Sequence, residues 1–504
     1  MLKVYRNLYH HNKKWYAVVD GSSKASSIDE GVASNTMLVK LPTTDSKAFQ
    51  KNLKVCYVPG VTLYIDFPFP AFPDNLGHWA ELLLPLHSAL SSSSWAQHLQ
   101  GGHKHIDRLL LGNVRPQLLY NWPKEMLALA LAPALPPWPA PPAAAAEPAA
   151  KHKQQQQQQQ QLPAGAVPWD RPLPQLLGAD DVSGWCAHGW MLFENVIVAQ
   201  DRYPLLAMPD RQLPQPPAAA VVSSHAGDAA SSSSSSRSGG SAEEEPTQQQ
   251  QQQDAGLWNT EHRVGFNRPE LAAQFRAAAH ARHLWGPPFQ QQQQQQQQQG
   301  AEGGSSSSSS SSSSTLPRMV TVLLYPEDYP PVVNHYELVD MLRDLAEPYG
   351  CQVRTVSLTM GAPFLSHMAT MSSTGLLIAR HGPLLASAVL LPPGAAVLEL
   401  LPYKWQWRDV SSLYRNMTAS TGQLHHWAWR PLDARWCRYK EAAHARYAGW
   451  TTQECSGREC LLVHAQAGLE VDLSALRQLL QRKLPGLLAG QSVAELAEPW
   501  PAAD

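Results

Sequence analysis

The chain has 504 residues, a formal net charge of −2 and six cysteines, so it carries neither a global basic field for nucleic acid or anionic membrane nor a small disulfide-dense scaffold. Glutamine tracts (Gln154–Gln161, Gln290–Gln299), a serine run from Ser305 and Ala/Pro blocks add nothing to a core. Setting these aside leaves ~350 residues, enough for two α/β domains of ordinary size.

In chain order, residues 1–132 read as the first part of an N-terminal domain. "MLKVYRNLYHHNKKWYAVVDG" is a strand pair with a turn, "KVCYVPGVTLYIDF" a strand and "GHWAELLLPLHSAL" a helix. Residues 133–182 are Pro/Ala- and Gln-rich and are expected to form a disordered insertion. An island at 183–204 contains the buried-strand pattern "FENVIVA", and 205–256 is a second low-complexity insertion. Residues 257–288 read as a turn and an amphipathic helix, with Pro269 suited to the first helical position; 289–315 is the third insertion. From 316 to 435 strands alternate with helices: "MVTVLLY", "NHYELVDMLRDLAEPYG", "CQVRTVSL", "PFLSHMATMSST", "GLLIARHG", "LLASAVLL" and "AAVLELLP". That alternation means βαβ units and a parallel sheet. Residues 436–504 read as a C-terminal extension ending in a helix.

No run reaches ~18 uninterrupted apolar residues, the length a membrane helix needs. The N-terminus reads as strand, not signal peptide, so the expectation is either a cytosolic protein or one whose N-terminal membrane anchor is missing from this sequence. Cys455 and Cys460 in "CSGREC" suit a small disulfide loop; a zinc pair is the other reading, but no second pair with ligand spacing accompanies it. Asn416-Met417-Thr418 is the lone glycosylation sequon. Seventeen tryptophans suit sugar stacking or, more commonly, core packing.

Two polar interruptions carry the chemistry. In "LLIARHGPLLASAVLLPPG" a strand delivers Arg380 and His381 to its carboxyl end, Gly382 permits a tight turn and Pro383 opens a helix. The amides and positive dipole of such a helix start suit a diphosphate, and Arg380 adds charge-assisted donation. The bland alternative makes His381 a turn cap and Arg380 a solvated strand end. Glu399, after the next strand, suits ribose hydroxyls or simply faces water. In "FPAFPDNLGHWAELLLPL" a Pro-rich loop ends at Asp74 and Asn75, and Gly77, His78 and Trp79 open a helix with Glu81 one turn in. His78 is a candidate base for a hydroxyl; the alternative is capping or packing.

The motifs "NLGHWAE", "FENVIVAQDRY", "GFNRPELAAQFRAAA", "NHYELVDMLRDL" and "HGPLLASAVLLPPGAAVLEL" together resemble glycosyltransferase family 61, over the ordered chain from about 40 to 430. That family includes plant xylosyl- and arabinosyltransferases and animal O-linked N-acetylglucosaminyltransferases of the secretory pathway. The resemblance implies an α/β GT-B architecture: two Rossmann-like domains facing across a cleft, the nucleotide-sugar on the C-terminal one. It implies that His381, Gly382 and Pro383 hold the donor diphosphate, with Arg380, Glu399 and Asn334 on the donor side. Asn75 and Trp79 would line the acceptor side, with His78. It also implies an endoplasmic reticulum or Golgi location. Two positions depart from the family pattern: Gly-Pro replaces Gly-Ala at 382–383, and no Arg precedes Asn334.

The ordered part has no Asp-x-Asp after a strand, and "ADDV" at 179–182 borders an insertion. The expectation is therefore metal-independent transfer of a pentose or N-acetylhexosamine from a UDP-sugar to a hydroxyl of a glycan or glycoprotein, with no cofactor. His78 is the leading base, with Asp74 and Glu81 as nearby carboxylates; inversion needs a single base. The alternative is a catalytically degenerate GT-B scaffold. An α/β-hydrolase is disfavoured because no Gly-x-Ser-x-Gly elbow is present.

Overall fold

The computed structural model describes residues 2–12, 14–20, 38–43, 54–67, 73, 75–112, 114–135, 175–178, 182, 185–186, 189–199, 264–282, 316–325, 329–359, 361–406, 411–452, 454–456 and 458–501. They form an α/β molecule with two large sheets. Asp74, and most of the three low-complexity insertions, lie outside the described residues.

The N-terminal sheet has seven strands: β1 (Leu2–His11), β2 (Lys14–Asp20), β3 (Leu38–Thr43), β4 (Cys56–Ile65), β5 (Arg108–Leu111), β6 (Gln175–Gly178) and β7 (Met191–Ala199). Their order is β3-β2-β1-β7-β4-β5-β6. The block β7-β4-β5-β6 is parallel, while β1 runs antiparallel to both β2 and β7. Helix α1 (Leu76–Ser91) follows β4, α2 (Asn121–Leu131) follows β5, and α3 (Pro269–Arg282) begins at the expected proline. Strand β6 lies inside the stretch that composition assigns to an insertion. Its "QLLG" is four residues of apolar signal in a Pro-rich context, too short to register, yet it pairs with β5 along its whole length.

The second sheet is wholly parallel. It contains β8 (Met319–Leu324), β9 (Gln352–Ser357), β10 (Leu376–Arg380), β11 (Ala396–Leu400) and β12 (His425–Trp429). The crossovers are α4 (His335–Ala346), α5 (Phe364–Ser372), a 3-10 helix (Pro383–Leu390) and α6 (Leu413–Ala419). Read from its β9 edge, the order is β9-β8-β10-β11-β12. The chain therefore reverses its direction of travel between β8 and β10, and in open parallel sheets ligands bind outside the carboxyl ends at such a point. Every residue of β10 and β11 is buried, as interior parallel strands require.

Alternation along these strands builds two cores. Leu376, Ile378, Leu398 and Trp427 face α4 and the C-terminal helix α8 (Leu473–Leu488). Between β12 and α8 lie the short pair β13 (Cys437–Arg438) and β14 (Gly468–Leu469), with α7 (Arg458–Gln466). Residues 436–504 are thus part of this unit's core through Leu476, Leu480 and Leu484, more than an extension. On the other face, Leu377, Ala379 and Val397 join Leu384, Leu385 and Met417 in one continuous core with α1, α2, α3 and the inner face of the N-terminal sheet. The stretch leading into α3 stitches the units together: the Asn267 backbone N–H donates to Ser88 on α1, and that of Phe266 to Ser420 beyond α6. No helix among the described residues is long and apolar enough to cross a membrane.

Candidate functional site at the junction of the two sheets

The amino end of α1 meets the carboxyl edge of the parallel sheet. Asn75 caps α1 by accepting from the His78 backbone N–H at 3.3 Å. A Cβ built on Gly77 would lie 2.8 Å from the Tyr414 hydroxyl and 3.7 Å from Pro383 Cα, so any side chain there would have to displace the Tyr414 ring. His78 is 25% exposed, and its Nδ1 lies 3.7 Å from the Glu81 carboxylate one turn on. Trp79 does not line the crevice. Its ring is fully buried and stacked on Phe67 at 4.3 Å, and its indole N–H donates to Pro73 O at 2.8 Å.

Across the junction, His381 and Glu399 form the centre. His381 Nδ1 donates to Glu399 Oε1 in a short contact, and Glu399 Oε2 accepts from His426 Nε2 at 2.9 Å. His426 Nδ1 in turn meets the Thr418 hydroxyl at 2.9 Å, and the Trp405 indole N–H donates to His381 Nε2 at 3.2 Å. Glu399 therefore does not offer its oxygens to a ribose or to water: it is fully buried and both oxygens are taken by imidazoles. Burial would push its carboxyl up, but its contacts with the His381 and His426 imidazoles outweigh that and hold it down at about 2.

Strand parity explains which groups meet. Glu399 shares the face of Val397, and His426 sits opposite Val397 in register on the next strand. Arg380 lies on the other face, with Leu376 and Ile378. Its guanidinium donates to Pro331 O at 3.1 Å and Ala465 O at 2.7 Å, and burial lowers it to about 10. The expected contribution of Arg380 to an anion site beside His381 is therefore corrected. Asn334 is likewise committed elsewhere: its amide exchanges two 2.8 Å hydrogen bonds with the Val471 backbone, pinning the start of α4 to the segment between β14 and α8.

The turn at Gly382 is packed rather than open. A Cβ there would stand 2.7 Å from the hydroxyls of both Tyr325 and Tyr329, whose rings stack at 4.4 Å. Tyr325 donates to Arg380 O at 3.1 Å and also engages the Leu385 backbone, occupying the start of the 3-10 helix. Tyr414 closes the cluster, its ring 5.2 Å from that of His381. Burial raises Tyr325 and Tyr414 well above the ordinary tyrosine range, so both stay protonated donors.

Sequence reasoning missed Tyr325, Tyr329, Trp405, Tyr414 and His426. Parity was the available signal for His426, because "HHWAW" alternates His426 with Trp427 as "VLEL" alternates Glu399 with Leu398. The sequon falls in α6, where the Thr418 hydroxyl is buried and bonded to His426 and to Tyr414 O at 2.9 Å. Cys455 and Cys460 are joined as a disulfide, with His464 beside them, and a second disulfide, Cys56–Cys186, went unanticipated.

No family model matches the chain. Over 103 residues it is 36% identical to the protein O-linked-mannose β-1,4-N-acetylglucosaminyltransferase 2 of Tetraodon nigroviridis, and over the same length 34% identical to that of Takifugu rubripes. The match spans 20% of this chain and 17% of each relative's length.

Proposed function

We propose that the chain is a glycosyltransferase that moves a sugar, a pentose or an N-acetylhexosamine, from a UDP-sugar to a hydroxyl of a glycan or glycoprotein, without a metal. The observation that carries the reading is the meeting of His78 and Glu81 on α1 with the His381–Glu399 edge of the parallel sheet across Tyr414. The partial similarity to two N-acetylglucosaminyltransferases points the same way. In this reading the two sheets are the halves of a GT-B fold of the family 61 kind, the diphosphate lies against His381 and Gly382, and the acceptor lies on the α1 side. His78 accepts the proton of the acceptor hydroxyl as its oxygen attacks the anomeric carbon, and UDP departs with the bonding pair. Glu81 sits where it can steady the imidazolium that forms. Two disulfides, one closing 130 residues, suit an oxidising lumen, so the proposed location is the endoplasmic reticulum or Golgi.

The test is a screen of UDP-sugars against glycan acceptors with purified protein. The reading expects UDP release that survives a chelator and falls by on the order of a hundredfold in His78→Ala, the range for loss of a general base. Turnover intact in His78→Ala sinks the base assignment, and activity abolished by chelation sinks the metal-independent mechanism.

A second reading is a degenerate, non-catalytic scaffold of the same fold. What favours it is the state of the anion site: Arg380 is turned away, Tyr325 and Tyr329 pack against Gly382, and Trp405 occupies His381 Nε2. Intact, folded protein that binds no UDP would select it.

A further inference from the structure

Every polar atom of His381 is committed, and the pattern of commitment says what it is built to do. Its Nδ1–H goes to Glu399, so the proton that remains to be gained or lost is on Nε2. There the imidazole accepts from the Trp405 indole N–H, which makes His381 neutral in this structure. Behind it the chain of contacts continues. Thr418 Oγ1 lies within donating distance of the Tyr414 and Arg415 carbonyls, at 2.9 and 3.0 Å. A hydroxyl whose proton is given to a carbonyl must accept from His426 Nδ1, and His426 then donates from both nitrogens. Glu399 is thus bracketed by two imidazoles that it orients from one buried carboxylate.

Trp405 reaches His381 from a strained attachment. Lys404, immediately before it, has φ +50°, the left-handed region that side chains other than glycine and asparagine rarely adopt. Its ammonium is held by the carbonyls of Ala448, at 3.2 Å, and Trp450. The Trp405 carbonyl accepts from Arg430 at 2.9 Å. The backbone on both sides of the indole is fixed, while the indole N–H makes its bond to a group that can protonate.

We infer that Glu399, seconded by His426, is a positioning residue that presents His381 Nε2 to the donor diphosphate, and that nucleotide binding replaces the Trp405 indole at Nε2 with a phosphate oxygen as His381 takes up one proton from solvent. The imidazolium supplies the positive charge that Arg380, on the far face of β10, does not. This rests on the proposed function and names the group that neutralises its leaving phosphate. Among the described residues, the titratable groups packed round His381 are Glu399 on β11, His426 on β12, Tyr414 on α6 and Tyr325 and Tyr329 beyond β8. Glu81 on α1 acts through Tyr414. Of these, only the carboxylates are negative, and Glu399 is the one in contact.

The test is calorimetry of UDP binding to the full chain at pH 8, where free UDP is fully ionised, in two buffers of different ionisation enthalpy. The inference expects uptake of about one proton per nucleotide by wild-type protein, since His381 Nε2 holds no proton while it accepts from the Trp405 indole. Glu399→Gln should abolish the uptake and weaken binding on the order of tenfold, one pKa unit of lost charge stabilisation. Trp405→Phe, which removes the competing N–H, should keep the uptake. UDP binding by wild-type protein without proton uptake overturns the inference and leaves the proposed function standing, as does uptake unchanged in Glu399→Gln. Absence of UDP binding by folded wild-type protein overturns both. The wild-type proton count decides the matter even where a variant fails to fold.

Discussion

The two edges that meet at the junction use the same residue types in opposite ways. On α1, His78 and Glu81 pair along one helix face at 3.7 Å, with the imidazole partly open to solvent. On the parallel sheet, Glu399 sits with no exposure between two imidazoles on neighbouring strands. The first arrangement can exchange protons with an incoming hydroxyl at little structural cost. The second must be made complete, because a fully buried carboxylate without partners is costly. A helix supplies neighbours three residues apart from local sequence alone, whereas the sheet supplies them through register between strands that are far apart in the chain.

The largest test of the difference between the two units is in their disulfides. Cys56–Cys186 closes a separation of 130 residues and ties β4 to the segment before β7, while Cys455–Cys460 closes five. On loop-closure entropy the long bridge contributes ~5 kcal/mol and the short one ~2 kcal/mol. Denaturant unfolding of Cys56→Ala/Cys186→Ala should therefore show much the larger drop in midpoint. Equal drops would mean that the five-residue loop is holding the Trp405 and Tyr447 cluster packed against it by something other than chain entropy.

Next in size is the carboxylate contrast itself. Glu399→Ala leaves His381 and His426 without their acceptor and should cost ~3–5 kcal/mol, the range for breaking a buried pair. Glu81→Ala should cost less than that, because among the described residues its only ion-pair contact is a 3.7 Å approach to a partly exposed imidazole. A comparable loss in both, measured by urea titration, would show that α1 depends on Glu81 for its fold.

Much of this was legible in the sequence, and the omissions have physical causes. The strands and helices from 319 to 400 follow apolar period and turn residues, and both motifs lie at one junction. Arg380, Trp79 and Asn334 carry site chemistry in the sequence, but the face or segment each occupies commits its side chain to packing and backbone contacts. Arg380 sits two residues after Ile378 and so points with it to the α4 side. The strand "HHWAW" and the helix carrying Tyr414 give no core signal in the sequence, because histidines and a sequon look like surface. Burial of β12 between β11 and the C-terminal segment is a tertiary fact. The helix start at Pro383 has the sequence of an anion site, but two tyrosines that lie more than 50 residues earlier in the chain pack against its Gly382.

Glycine substitutions sharpen the comparison at a smaller scale. Gly382→Ala drives a methyl to 2.7 Å from two tyrosine hydroxyls and should cost ~1–3 kcal/mol by overpacking. Gly77→Ala meets the Tyr414 hydroxyl at 2.8 Å and belongs in the same range, since both pack the same seam from opposite sides. Gly449→Ala meets nothing within 4 Å and should shift stability by less than ~0.5 kcal/mol. If Gly77→Ala behaves like Gly449→Ala while Gly382→Ala does not, the α1 side of the seam yields and the sheet side does not.

The smallest effect per residue is the response to acid, where the two units should look alike until Glu399 enters. Burial lowers His10 and His87 in the N-terminal unit, and His367 and His464 in the C-terminal unit, each to about 4. The unfolded chain, with ordinary histidines, binds more protons than the folded one between pH 6.5 and 4, so stability falls as pH falls through that window. Each of these histidines contributes on the order of 1 kcal/mol to the fall once relaxation is allowed for. His87→Gln should therefore flatten the slope of unfolding free energy against pH between 6.5 and 4. Glu399 acts in a separate window with the same sign: its carboxyl is depressed to about 2, so its stabilisation is complete above the ordinary carboxylate range and is lost only as pH drops from about 4.5 toward 2. Wild-type protein should show two acid phases, and Glu399→Gln only the first. One merged phase in both proteins would mean that the histidine pair stops holding Glu399 as soon as the buried histidines protonate, and that the two windows belong to one cooperative opening of the junction.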